Sequence, residues 1–207
     1  MTPKLSSEDR KLQIIAVART LFATKGFEGT TLDDIAAKAG ISRPRVIQLF
    51  GSKQQLYETI AVTAYRAHPL DQDLAEPIRR KDDYGIFEAF ARHILRHSQK
   101  REDRENLKIL MNARFKEDRF HRLHFQEQDT LMIRRLEVYF TERMQAGAFC
   151  DINPRTIIFA YQAMVLNLAI YKNVMNRMDF VTIEELSRDC ARIFLNGIVH
   201  NSKKGKV

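Results

Sequence analysis

Three side chains close together in the sequence have the chemistry needed to read DNA bases. Arg43, Arg45 and Gln48 lie within six residues of one another, and Lys53 follows them. Arginine forms paired hydrogen bonds with guanine, and glutamine with adenine, in the major groove of duplex DNA. A lysine can neutralise a backbone phosphate. These residue types predict a DNA-binding surface, provided that the backbone presents them on one face.

Two short helices joined by a glycine turn are predicted to position these side chains over residues 31–50. Thr31 is expected to cap the first helix, with Asp34 reaching back in a variant capping box. Gly40 suits the left-handed residue that commonly ends a helix. Ser42 is predicted to cap the second helix, and Pro44 falls in its first turn, where a missing N–H loses no partner. The pattern is that of a helix-turn-helix unit.

Periodicity predicts which face of the second helix is available to DNA. Val46, Leu49 and Phe50 have the spacing of an inward stripe, which turns the intervening side chains outward. A helical corner with solvated charges is the alternative reading of this pattern. The predicted DNA-contacting residues are Thr31, Ser42, Arg43, Pro44, Arg45, Ile47, Gln48 and Lys53.

A longer block extends this motif in both directions. It comprises an amphipathic first helix, the run LFATKGFEGTTLDDIAAKAGIS and the exit FGSKQQL. Residues 8–60 thereby resemble the TetR family of bacterial transcriptional regulators. The resemblance implies a homodimer that binds a palindromic operator and dimerises through its last two long helices. It also implies a repressor that leaves the operator when a small molecule binds between its helices.

The second helix departs from the family pattern in its middle. The family usually has an aromatic residue there, often tyrosine, which contacts a phosphate. This chain has Ile47 at that position and Leu49 where another aromatic residue or histidine is common. Ile47 offers only apolar contact, for example to a thymine methyl group.

Composition favours a DNA-binding protein over an enzyme. The 207 residues carry a formal net charge of +8, and the first 53 hold nine basic and five acidic side chains. Excess positive charge favours polyanionic partners. The sequence has no glycine-rich phosphate loop, nucleophile elbow or His-Glu metalloprotease pattern, so neither catalysis nor a cofactor is expected. Cys150 and Cys190 have no tight spacing and are expected to be reduced thiols.

The periodic pattern beyond the motif is helical throughout, and it predicts an all-α fold of about nine helices. Pro69 and Pro77 predict an irregular link over 68–82. The predicted domains are 8–67, which ends in a connecting helix over 53–67, and 83–200. A polar N-terminus and the lack of a membrane-spanning run predict a cytoplasmic protein that associates with the nucleoid when bound to DNA.

One predicted helix, from 154 to about 177, is apolar on almost every side. Such a helix must be covered on every side. It is expected to be too short for a bilayer, so one face should meet its own core and another a second subunit. A homodimer formed through residues 154–200 is therefore predicted. Complete burial within one chain is the alternative that the pattern leaves open.

Polar side chains interrupt the apolar stripes of the second predicted domain, as they do in small-molecule pockets. An ordinary core has the same composition, and methionine often only fills gaps. The pairs His93/His97 and His121/His124 could also suit a transition metal, but no complete ligand set accompanies them, so no metal site is predicted. A metal-responsive regulator, an effector-independent DNA binder and an all-helical enzyme remain alternatives. The candidate residues for an apolar or aromatic effector are His93, His97, Met111, Asn112, Phe115, Tyr139, Met144, Met164, Asn167 and Tyr171.

Overall fold

The computed structural model describes residues 6–66, 70–115 and 126–198, with side chains described for 6–63, 70–109 and 132–198. This part of the chain is all-α, as predicted, and contains no β-strand. It has ten α-helices, one more than the predicted number of about nine. They are α1 Ser7–Lys25, α2 Leu32–Ala39, α3 Arg43–Phe50, α4 Lys53–Arg66, α5 Leu70–Arg80, α6 Asp83–Arg96, α7 Arg101–Phe115, α8 Gln126–Gln145, α9 Pro154–Ala169 and α10 Ile183–Ile198.

Helix α5 occupies the segment for which an irregular link was predicted, so that prediction is wrong. Pro77 lies inside the helix and has no N–H to donate to the Asp73 carbonyl, so the helix forms with one internal hydrogen bond fewer. Leu74 is buried and anchors α5. The helix ends in a Schellman motif, because Lys81 has a φ of 54° and the amide of Asp82 donates to the carbonyl of Pro77.

The contacts divide the chain into two compact units. The first unit contains α1–α4 together with α7, and the second contains α5, α6 and α8–α10. In the first unit, Phe22, Phe27 and Tyr57 form an aromatic core, and the Tyr57 hydroxyl donates to the Ile109 carbonyl of α7 at 3.0 Å. The predicted domains 8–67 and 83–200 stay a prediction, but α7 packs with the first unit although it lies inside 83–200.

Polar contacts also join α7 to α1 within the first unit. The Thr20 hydroxyl donates to the Glu105 carboxylate at 3.1 Å, and Arg19 Nε lies 3.5 Å from the same carboxylate. Arg101 pairs with Glu105 at 3.2 Å, and Arg19 also pairs with Glu102. Glu105 is largely buried, so these partners are needed to offset the cost of removing its charge from water.

Helix α6 contacts α5, α9 and α10 and forms the centre of the second unit. The core there is aromatic and comprises Phe87, Phe90, Phe140, Tyr161 and Phe194. The buried Tyr161 hydroxyl donates to the Phe87 carbonyl at 2.6 Å. Such a bond is needed because an unpaired buried hydroxyl would be destabilising.

Helix α9 begins at the predicted residue and covers most of the helix predicted from 154 to about 177. A π-helical segment, Ile170–Val174, extends it to 21 residues, which is long and apolar enough by length and composition to cross a membrane. The expectation that it is too short for a bilayer is therefore wrong. However, one face of α9 is buried in the core of the second unit through Ile157, Tyr161, Val165 and Ala169. The opposite face is exposed.

Candidate nucleic-acid interface

Local hydrogen bonds fix the first helix of the helix-turn-helix unit. The Thr31 hydroxyl accepts from the Asp34 amide at 3.0 Å, and the Asp34 carboxylate accepts from the Thr31 amide at 3.0 Å. The predicted capping box is thereby confirmed. The Thr31 hydroxyl also donates to the Asp34 carboxylate at 2.8 Å, and this bond, together with that from the Thr31 amide, lowers the pKa of Asp34 because both favour its charged form. Gly40, with a φ of 65°, ends the helix in the predicted left-handed conformation.

The start of α3 differs from the expectation in one respect. Ser42 occupies the N-cap position, but its side chain makes no capping hydrogen bond, so the predicted side-chain cap is wrong. The Ser42 carbonyl accepts from the amides of Arg45 and Val46 instead. Pro44, the second residue of the helix, has no N–H that needs a cap. The first turn therefore forms without the serine hydroxyl.

Burial separates the two faces of α3. Val46 is completely buried, while Leu49 and Phe50 are half-buried. Ile47 is 41% exposed, so this apolar side chain belongs to the outward face of α3. Most of the other predicted DNA-contacting residues are also exposed, namely Thr31, Ser42, Arg43, Pro44, Arg45 and Gln48. Lys53 is half-buried. The exposed α3 residues form an outward face of the kind required for base contacts.

Two arginines on this outward face have partners of different kinds. Arg43 Nη1 lies 3.3 Å from an Asp33 carboxylate oxygen, so an acidic group from α2 reaches the start of α3. Arg45 Nη1 donates to Gln48 Oε1 at 2.5 Å, within the same helix. Both pairs are exposed to solvent. Neither pair therefore contributes much to folding stability.

Lys53 has a second role that the sequence did not indicate. Its ammonium group donates to the Phe27 carbonyl at 2.9 Å and lies 4.2 Å from the centre of the Phe27 ring. Residues 27 and 53 are far apart in the sequence, so no local pattern reveals this contact. Lys53 thus ties the start of α4 to the turn after α1. Its contact with phosphate stays a prediction.

Replacing Lys53 with methionine is expected to have two separable effects. Loss of the contacts with Phe27 should lower the free energy of unfolding by about 1 kcal/mol. Loss of the charge should weaken binding to all DNA sequences alike and lower the salt slope by about one unit per subunit. Thermal melts and titrations at several salt concentrations measure these effects. Lys11→Met, another half-buried lysine of the first unit, is the control, and unchanged values for Lys53→Met would contradict the assignment.

The candidate effector residues do not share one environment. His93 Nδ1 lies 2.6 Å from the Asp73 carboxylate, and the rings of His93 and His97 are 4.3 Å apart. Tyr171 lies on the exposed face of α9, and so does Asn167. Its spacing on an all-apolar helix could not show which face points outward.

Some of the remaining effector candidates lie in or against the core, and the side chains of the others are outside the described part of the structure. Tyr139 is buried, and its hydroxyl donates to the Asp83 carboxylate. Arg143 forms an ion pair with the same carboxylate at 2.7 Å. Burial and the bond to Asp83 raise the pKa of Tyr139. Met144 and Met164 are half-buried against the core. The side chains of Met111, Asn112 and Phe115, and residues His121 and His124, lie outside the described part of the structure.

Sequence reasoning missed the acidic partners in both units. Asp33, Asp73 and Asp83 each meet a basic or histidine side chain from another helix. The partners are between ten and sixty residues apart in the sequence, so no helical spacing signals them. Among the side chains that the structure describes, no group of three or more His, Cys, Asp or Glu residues could hold a metal ion.

Comparison with known proteins places the helix-turn-helix unit in a family. Residues 14–60 match the model of the bacterial regulatory proteins of the tetR family. The chain is 36% identical over 66 residues to YfiR of Bacillus subtilis, an uncharacterised HTH-type transcriptional regulator. That match covers 30% of this chain and 32% of YfiR, so it spans about a third of the relative.

Solved structures resemble the chain over nearly its whole length. NalD of Pseudomonas aeruginosa, the secondary repressor of the MexAB-OprM multidrug efflux pump, has a TM-score of 0.67 at 22% identity and covers 94% of this chain and 98% of its own. A putative transcriptional regulator from Saccharomonospora viridis, in complex with choline, has a TM-score of 0.67 at 17% identity, with 95% and 100% covered. At these identities the likeness shows a shared fold.

Proposed function

We propose a function for this chain from the premise that it belongs to the TetR family of bacterial transcriptional regulators. In this proposal the protein acts in the cytoplasm as a homodimer that binds a palindromic operator and represses transcription. A small apolar or aromatic molecule then releases it from DNA. The observation that carries the proposal is the exposed face of α3, which presents Arg43, Arg45 and Gln48. The buried Val46 anchors the opposite side of the same helix.

The geometry of the first unit supports base reading by α3. The capped α2 and the glycine turn hold α3 by its buried side, which leaves its N-terminal residues free to enter a major groove. Arg43 and Arg45 provide donors for guanine, and Gln48 matches adenine. Ile47 can contact a thymine methyl group. Thr31 and Lys53 are assigned to phosphates, which fix the position of the protein without specifying sequence.

The exposed faces of α9 and α10 support the proposed homodimer. Phe159 on α9 is 47% exposed and Ile193 on α10 is 69% exposed. Ala163 and Gly197, which are small enough to permit close helix contact, are exposed on the same two helices. A second subunit would remove this apolar surface from water. Asn167 and Tyr171 are therefore assigned to the dimer surface, although the sequence had suggested them for the effector site.

Repression and release require two states that differ in the distance between the two α3 helices. Half-sites for such dimers lie about one DNA turn apart, near 34–36 Å. An effector that binds better to a state with another spacing shifts the population away from DNA. The name of NalD as a repressor and the choline bound to the S. viridis protein support this part of the proposal.

The proposed effector contacts are His93 of α6 and His97, the residue that caps the C-terminus of α6. The Asp73–His93 hydrogen bond fixes one ring nitrogen of His93, which leaves the other available to a ligand. Half-buried Met144 and Met164 provide apolar surface in the same unit. An organic ligand with one hydrogen-bonding group suits such a combination.

His93→Leu is expected to lower effector affinity about tenfold and leave operator affinity unchanged, since one ligand hydrogen bond is lost. A library of small aromatic and apolar compounds, screened by the rise in melting temperature with and without a chelator, measures this. Arg96→Leu, an exposed neighbour on α6, is the control.

A metal-responsive regulator would give the opposite pattern in that screen. Chelator would then abolish the response, and zinc, copper or nickel would produce it. If no compound and no metal raised the melting temperature or released operator DNA, the effector part of the proposal would fail. An effector-independent DNA binder would then describe the protein better.

A reporter assay tests repression itself. A promoter fragment captured by the purified protein is placed before a reporter gene, and the protein is supplied in trans. The proposal expects lower expression when the protein is present and recovery when the screened compound is added. Higher expression in the presence of the protein alone would show an activator.

A further inference from the structure

An acidic side chain, that of Asp33, lies beside the proposed DNA interface, where its charge would be expected to repel DNA phosphates. Asp33 is exposed in the first turn of α2, and its side chain keeps 67% of its accessible surface. The neighbouring Asp34 carries out the capping of α2, so capping does not require Asp33. The carboxylate of Asp33 instead meets Arg43 Nη1 at 3.3 Å.

The two arginines of the outward face therefore have partners of different charge. Arg45 meets the neutral side-chain amide of Gln48, three residues later on the same helix. Arg43 meets a full negative charge, which comes from the preceding helix. A guanidinium has five N–H donors, and the recorded contact with Asp33 uses only one nitrogen. Enough donors remain for a paired contact with one base.

We infer that Asp33 is a positioning residue that sets base preference through Arg43. The inference rests on the proposed DNA-binding function. The carboxylate restricts the conformations of the Arg43 side chain, so its free donors are directed before DNA arrives. It also opposes any phosphate near Arg43, because two anions would then share one cation. Asp33 thus favours the use of Arg43 on a base and disfavours its use as a phosphate clamp.

This role differs from that of an ordinary surface ion pair. Exposed ion pairs contribute little to folding, so removing Asp33 should leave the melting temperature nearly unchanged. Binding to DNA should change in two opposite directions. Preference at one position of each half-site should weaken, while affinity for DNA of random sequence should rise because a negative charge has been removed from the interface.

The experiment compares Asp33→Ala, Asp33→Glu, Arg43→Ala and the double variant Asp33→Ala/Arg43→Ala in the full-length chain. Each protein selects from a duplex library with a randomised half-site and is titrated on random DNA at several salt concentrations. Asp33→Ala should lose about tenfold in preference at one position. The salt slope of Asp33→Ala on random DNA should steepen by about one unit per subunit. Asp33→Glu keeps the carboxylate and should retain the wild-type preference.

The double variant shows whether Asp33 acts through Arg43. In the Arg43→Ala background, Asp33→Ala should have no further effect on base preference. Glu8→Gln, which removes an exposed acid from the first turn of α1, is the matched control and should leave preference unchanged. The inference is overturned if Asp33→Ala keeps the wild-type preference, or if its effect adds to that of Arg43→Ala.

The proposed function can fail separately from this inference. A wild-type protein that selects no sequence would overturn both. A wild-type protein that selects one sequence, together with an Asp33→Ala variant that selects it equally well, would overturn the role of Asp33 alone.

Discussion

Replacing Ala163 with glutamate is expected to give monomers that no longer bind operator DNA tightly. Ala163 is exposed on α9, on the side opposite the buried Tyr161 and Val165. In a twofold-symmetric dimer the same surface meets itself, so each interface receives two new charges. An unpaired buried charge is strongly destabilising, by about 3–5 kcal/mol.

Loss of the dimer should reduce operator affinity at least a hundredfold. A monomer has one recognition helix, and its binding should approach the non-specific range of about 10⁻⁴–10⁻⁶ M, whereas specific dimers reach about 10⁻⁸ M or better. Sedimentation at micromolar concentration and operator titration measure the two effects. Leu166→Glu, which changes a half-buried residue of the same helix, should act in the same direction.

Ala75→Glu is the matched control for this prediction. Ala75 is an exposed helical alanine in α5 of the same unit, and the same charge introduced there should leave both the mass and the DNA affinity unchanged. An Ala163→Glu protein that stays dimeric and binds the operator normally would contradict the assignment of α9 to the dimer. So would a wild-type protein that sediments as a monomer.

Replacing Arg45 with alanine is expected to weaken operator binding by about 1–3 kcal/mol for each half-site and to relax sequence preference at one position. The dimer contains two copies, so the total loss should reach about 2–6 kcal/mol, which is about thirtyfold or more. Arg45 is exposed, and Gln48 is its recorded partner. Folding should be nearly unaffected, because an exposed pair of this kind contributes little to stability.

Arg79→Ala provides the matched control for Arg45→Ala. Arg79 is also exposed and also bonds a side chain three residues away on its own helix, Glu76, but it belongs to the second unit. Gln48→Ala should relax preference at a different position from Arg45→Ala. If both Arg45→Ala and Gln48→Ala kept the wild-type affinity and preference, α3 would not be the recognition helix.

Interactions between residues close in the sequence could be predicted well. The Thr31–Asp34 capping box spans three residues, and the left-handed Gly40 follows directly from the end of an apolar stripe. Such features depend on local backbone geometry, which residue types and spacing determine. The failed Ser42 cap shows the limit, because the position was correct but the hydroxyl makes no capping bond.

Interactions between distant residues could not be predicted. The contact of Lys53 with Phe27 spans 26 residues, and that of His93 with Asp73 spans 20. Each depends on how helices pack, which helical periodicity does not specify. The exposure of Asn167 has the same origin, since an all-apolar helix does not indicate which of its faces is covered.

Footprinting on a captured promoter fragment tests the central claim most directly. The purified wild-type protein is bound to the fragment at several salt concentrations, and the protected bases are mapped at single-nucleotide resolution. The account predicts two protected, inverted half-sites about one DNA turn apart, with affinity that falls steeply as salt rises. Uniform protection without a preferred sequence, or no protection at low salt, would contradict it.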